Sequence, residues 1–189
     1  MNKLIKKVLV GVIAGTMMLG SVCTAFAATG SQTEAPSAPV RNEEPVKATN
    51  GSEAKTSATG KATVTSVKKT SAKSVTVSST VKIDGISYKV TRLENKAFAN
   101  APKATKVTLP STITSLGAQT FTGAKSLKTI AFTSKDAVKV NKTAFKGLDT
   151  KKITITIKVS SKGMSEKEYK ATVKALKAAG FKGTIKKVK

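Results

Sequence analysis

The stretch Lys106–Phe132, KVTLPSTITSLGAQTFTGAKSLKTIAF, continued by Thr133–Phe145, TSKDAVKVNKTAF, decides the fold. One pattern recurs in it. A strand-like triplet, Val107-Thr108-Leu109, returns as Ile130-Ala131-Phe132 and again as Ile153-Thr154-Ile155, since 130 − 107 and 153 − 130 both equal 23. An aliphatic residue followed five positions later by phenylalanine recurs at Leu93/Phe98, Leu116/Phe121 and Val140/Phe145. A fixed period of about 20–50 residues marks a stacked array, because one such unit cannot bury its apolar residues and needs its neighbours to do so. Alternation along the strands places Val107/Leu109, Ile130/Phe132 and Ile153/Ile155 inside. The three phenylalanines come from the opposite wall and form a column, each on a short helix or 3₁₀ turn.

Working outward, VTVSSTV (75–81) matches VTLPSTI (107–113) and opens a degenerate first repeat. The register breaks after Val81. Asp84-Gly85 between two alternating runs predicts a β-hairpin with a type I′ turn. The hairpin explains the spacing from Val75 to Val107, which is 32 residues, one 23-residue period plus a nine-residue insertion. Val90 to Leu93 rejoins the pattern, and Thr63 to Val67 alternates as an edge strand.

These residues carry a resemblance. The segment IDGISYKVTRLENKAFANAPKATKVTLPSTITSLGAQTFTGAKSLKTI (83–130) resembles the BspA-type bacterial leucine-rich repeat of surface and secreted proteins. The matching boxes are Leu116-Gly117-Ala118-Gln119-Thr120-Phe121 and Leu127-Lys128-Thr129-Ile130-Ala131-Phe132. The chain departs from the family where Glu94 and Asn141 replace Gly117 in the flanking copies. It departs again where Ala101, Ala124 and Leu148 stand in place of the family's cysteine. The resemblance covers about 72–158 and implies an α/β solenoid: a short leucine-rich-repeat array with a strand-lined concave face, an N-terminal β-hairpin insertion and a C-terminal capping helix.

The flanks complete the organisation into a signal peptide (1–27), a disordered linker (28–60) and the repeat domain (61–189), whose cap spans 159–189. Lys3, Lys6 and Lys7, the apolar run Val8–Val22 and Ala25-Phe26-Ala27 read as a secretory signal cleaved after Ala27. The run is short for a membrane span, so none is expected after cleavage. Residues 28–60 are rich in Ser, Thr, Ala, Glu and Pro and nearly lack large apolar side chains, a composition too poor in burial to offset ordering entropy. At the other end, Ser165 and Glu168 form a capping box with Met164 placed as a staple, which predicts a helix over 165–179. Tyr169, Val173 and Leu176 form its apolar stripe, and Glu166 is spaced to pair with Lys170. Gly180 is the expected C′ residue, Phe181 packs back on Leu176, and Thr184–Val188 adds a last strand.

Composition narrows the chemistry. The chain has no histidine, and its one cysteine, Cys23, lies in the signal segment. The commonest general base, the thiol nucleophile and the usual soft metal ligands are therefore missing from the expected mature chain. No catalytic constellation, metal site or cofactor motif emerges, and the expectation is a non-enzymatic binding protein. With the three signal lysines removed, 31 basic and 10 acidic residues leave a net charge of +21, nearly all of it from lysine. Lysine favours loose attraction to polyanions over bidentate readout.

The candidate binding surface is the concave strand face. Its outward columns are Ser74/Lys106/Thr129/Lys152, Thr76/Thr108/Ala131/Thr154 and Ser78/Pro110/Thr133/Thr156, and the candidate residues are Thr76, Lys106, Thr108, Thr129, Lys152 and Thr154. Small hydroxyls flanked by lysine suit a protein or glycan ligand at the cell surface. The alternative is electrostatic binding to an anionic cell-wall polymer or glycan. A carbohydrate-active enzyme ranks last, since no motif supports a carboxylate pair. Specific nucleic-acid binding is not expected, because no aromatic residues are left over for base stacking.

Overall fold

A computed structural model describes residues 38–161 and 163–189. The signal segment and residues 28–37 lie outside the described residues. The rest of the expected linker does not stay unstructured. It forms two strands, β1 (Asn42–Lys47) and β2 (Glu53–Thr56), which pair antiparallel. These strands need few large apolar side chains, because they are held by backbone ladders and by small buried residues, Ala54 and Thr56 of β2 and Ala48 and Ser52 of the connection between the two. Thr56 also donates its hydroxyl to the Val40 carbonyl at 2.7 Å, and the phenol oxygen of buried Tyr88 accepts from the Val40 N–H at 2.9 Å. Limited proteolysis of the folded protein is therefore expected to leave 42–56 attached to the resistant core. A limit fragment beginning near residue 61 would show that β1 and β2 are not paired.

Next comes β3 (Lys61–Ser66), which pairs antiparallel with β2 and parallel with β6 (Ile86–Leu93). It is thus an interior strand, not the edge that its sequence predicts, because β1 and β2 cover its outer side. Between them lie β4 (Ser74–Thr76) and β5 (Thr80–Ile83). β5 and β6 are joined by Asp84-Gly85, both at positive φ (49° and 81°), the geometry a type I′ turn requires.

The remaining strands are β7 (Lys106–Leu109), β8 (Ser115–Leu116), β9 (Thr129–Phe132), β10 (Lys139–Val140), β11 (Thr154–Lys158) and β12 (Thr184–Val188); β7 to β11 alternate between two sheets, and β12 joins β11 in the same one. One sheet is wholly parallel, in the order β12-β11-β9-β7-β4. The other has seven strands, β1-β2-β3-β6-β8-β10 with β5 on β6. Each full repeat thus gives one strand to each sheet. The aliphatic residue of each Leu/Phe pair belongs to the second sheet, where Leu93, Leu116 and Val140 stand in register.

Between the strands the phenylalanines stack. Phe98 and Phe121 lie 5.3 Å apart at 20°, and Phe121 and Phe145 lie 5.6 Å apart at 10°. The column extends to Phe181, which is tilted at 53° and 5.2 Å from Phe145. The phenylalanines ride on turns rather than on the expected helices or 3₁₀ segments. The turn amides are used between repeats: Phe98 N–H donates to the Thr120 carbonyl and Gln119 N–H to the Thr143 carbonyl, both at 3.0 Å. A helix would have turned those groups inward along its own axis.

The single α-helix among the described residues is α1 (Glu166–Ala178). Ser165 and Glu168 close a capping box in which Ser165 N–H donates to the Glu168 carboxylate at 2.8 Å. Hydrogen bonding by the Ser165 side chain, and then by its backbone, holds the Glu168 carboxyl below its ordinary value. At the other end Gly180 adopts φ 79°, Phe181 N–H bonds the Leu176 carbonyl, and Gly180 N–H bonds that of Lys177, a Schellman arrangement. Glu166 does not take Lys170; it pairs with Lys187 of β12, which the parallel pairing of β11 and β12 brings alongside. The helix packs on β10 and is pinned there by buried Thr172, whose hydroxyl accepts the Val138 N–H at 3.1 Å.

Candidate functional site

Pairing in the parallel sheet sets which side chains share its outward face. Val107, Ile130 and Ile155 are in register and buried, as are Leu109, Phe132 and Ile157. The third repeat is therefore offset by 25 residues, 155 − 130, and not by 23. The 3₁₀ turn Thr150–Lys152 takes up extra chain before β11, and Ile153 is buried ahead of the strand.

This shift corrects the outward rows. The first is Ser74, Lys106, Thr129, Thr154 and Thr184; the second is Thr76, Thr108, Ala131, Thr156 and Lys186. Lys106, Thr129 and Thr154 are adjacent in one row, and Thr76 and Thr108 in the other. Thr154 sits beside Thr129, not in the column with Thr76 and Thr108. Lys152 is not on the sheet: it lies in the 3₁₀ turn, with its ammonium 3.2 Å from the Asp149 carboxylate. Thr76 and Lys106 are exposed, whereas Thr108, Thr129 and Thr154 are half-buried.

Adjacent strands stand about 4.8 Å apart, and residues two apart on one strand about 6.7 Å, so the two rows form a regular polar lattice. Hydroxyls both donate and accept, and Lys106 and Lys186 only donate. Neither row contains a carboxylate, so the face can bind polar groups but has no general base of its own.

Sequence reasoning missed a second outward face. The cross-strand row Lys55, Thr63, Arg92, Ser115 and Lys139 crosses the seven-stranded sheet. It borders a shallow groove of about 640 Å³. The strands β8 and β10 are two residues long and show no alternation that could place Arg92 in one row with Lys139. Among the described residues no three His, Cys, Asp or Glu side chains cluster, and no helix is long and apolar enough to cross a membrane.

A model of the BspA type leucine rich repeat region matches residues 54–166 in six copies, more than half of the chain. The chain belongs to the BspA-type leucine-rich-repeat family. The fold described above is thus a leucine-rich-repeat fold built from strand-rich sheets and one helix. No curated protein matches the sequence. Two solved structures share the leucine-rich-repeat description. A leucine-rich repeat protein from Bacteroides capillosus ATCC 29799 superposes with a TM-score of 0.52 at 21% identity, over 81% of this chain and 100% of that one. A leucine rich cell surface protein from Faecalibacterium prausnitzii A2-165 gives a TM-score of 0.47 at 20% identity. That match covers 62% of this chain, which spans only 33% of the length of that protein. At such identities the likeness concerns the fold. The match starting at residue 54 takes in β3 and all but the first residue of β2.

Proposed function

We propose that this BspA-type chain is a non-enzymatic binding protein acting at the cell surface or after secretion, and that the outward face of its parallel sheet takes a protein or glycan ligand. The observation that carries the reading is the unbroken parallel order of β12, β11, β9, β7 and β4. It spreads small hydroxyls and two lysines over five strands with no acid among them. A ligand edge can lie across such a lattice and bond to several rows at once. The array works as a short solenoid in this reading. The β5–β6 hairpin is an insertion into its first repeat. The helix α1 ends it, covering β10 where a further repeat would otherwise stack, as terminal units of repeat arrays do.

The test is binding to a panel of matrix proteins and neutral glycans. The Thr108→Glu/Thr154→Glu double variant places two bulky like charges on the lattice and is expected to weaken binding at least tenfold. Lys167→Glu on the helix should leave it unchanged. Binding should persist at physiological salt, where the Debye length is about 8 Å. An undiminished double variant would move the ligand to another face.

A further inference from the structure

The seven-stranded sheet carries an inference independent of the face just described. In the row Lys55, Thr63, Arg92, Ser115, Lys139 the three cations lie on alternate strands. At one strand spacing of about 4.8 Å, Lys55, Arg92 and Lys139 therefore stand roughly 10 Å apart. The adjoining groove is lined by Lys55, Lys61, Arg92 and Lys139 together with threonine and serine hydroxyls, and by no carboxylate. Glu94 approaches Lys55 only to 4.0 Å. Asp136 lines the neighbouring hollow with Lys61, Lys89 and Lys135. Among the described residues, Arg92 and Lys139 make no salt bridge. The pairing of β3 with β6 slips at Thr91, so that Ala62 faces Val90 but Thr63 faces Arg92. Such a bulge re-aims the side chain beside it. Here that side chain is the guanidinium, whose fork matches a carboxylate bidentately.

We propose that this groove binds a linear acidic polysaccharide with one carboxylate per disaccharide, laid across the strands so that successive carboxylates meet Lys55, Arg92 and Lys139. Three features select this ligand. The cation spacing corresponds to two sugar units, whereas a polyphosphate or a polyuronate with a charge on every sugar is more densely charged. The hydroxyls between the cations suit the sugar hydroxyls that separate the charges. No aromatic side chain lines the groove, so nucleic-acid bases would find nothing to stack on.

The experiment is calorimetric titration of the folded protein with hyaluronan oligosaccharides, which carry one carboxylate per disaccharide, at physiological salt. Saturable binding is expected. Arg92→Gln should weaken it about tenfold or more, the usual scale for a lost hydrogen-bonded charge. Arg92→Lys should weaken it several-fold, because it keeps the charge but loses the fork. Lys174→Gln, an equal charge change on α1, should have no effect, and neither should the Thr108→Glu/Thr154→Glu variant on the other sheet. The result that overturns the proposal is absence of binding, an equal loss in Arg92→Gln and Lys174→Gln, or tighter binding per charge to polygalacturonate or polyphosphate. Any of these would leave only diffuse lysine attraction.

Discussion

Phe121→Ala is expected to cost about 3–5 kcal/mol, the usual range for truncating a buried phenylalanine. Phe121 is fully buried and stacks face to face with Phe98 on one side and Phe145 on the other. Truncation would leave a cavity in the middle of the column, and neither neighbour can collapse into it without drawing its own repeat out of register. Phe98 has one ring neighbour, and Phe145 has a second neighbour, Phe181, that is tilted rather than stacked. Their alanine variants should lose less. A domain of this size holds about 5–15 kcal/mol in total, so the Phe121 variant should lose at least about a fifth of it. Urea melts of the three variants rank them. If Phe121→Ala unfolds at the wild-type midpoint, the column does not hold the repeats together.

Gly123→Ala is expected to be nearly as damaging, at or above the upper end of the roughly 1–3 kcal/mol typical of overpacking. A Cβ at Gly123 would lie 2.2 Å from the Ala99 Cα and 2.4 Å from the Phe98 carbonyl oxygen. Both are main-chain atoms of the preceding turn, so no side chain can swing away to make room. The substitution would have to prise apart two turns just where Phe98 and Phe121 stack. Gly85→Ala is the control. Gly85 has positive φ but nothing within 4 Å of the new methyl, so only backbone strain of about 1 kcal/mol is expected. Thermal melts of the two variants separate crowding from strain. A Gly123→Ala protein as stable as wild type would mean that the turns do not approach so closely.

The sequence by itself determined the repeat. Val107 and Ile130 are truly in register, Phe98, Phe121 and Phe145 truly stack, and the capping box and Schellman turn of α1 sit where Ser165, Glu168 and Gly180 place them. These features are local or strictly periodic, so the residue pattern and the structure carry the same information. Membership in the BspA-type family was legible for the same reason.

Three things were decided only by tertiary structure. The third repeat pairs Ile155, not Ile153, with Ile130. Side chains alternate with period two, so a slip of two residues keeps every apolar residue inside, and the pattern cannot tell the registers apart. Only the length of the Thr150–Lys152 turn fixes the choice, and it moves Lys152 off the candidate face. The strands β1 and β2 are stabilised by pairing with a neighbouring strand. Backbone ladders need no large apolar side chains, so composition could not reveal them. The row that holds Lys55, Arg92 and Lys139 draws on five strands, and successive cations in it are separated by 37 and by 47 residues of chain, 92 − 55 and 139 − 92. Nothing in the sequence links those positions. The stacking of repeats brings them side by side, and the candidate anion groove exists only because of it.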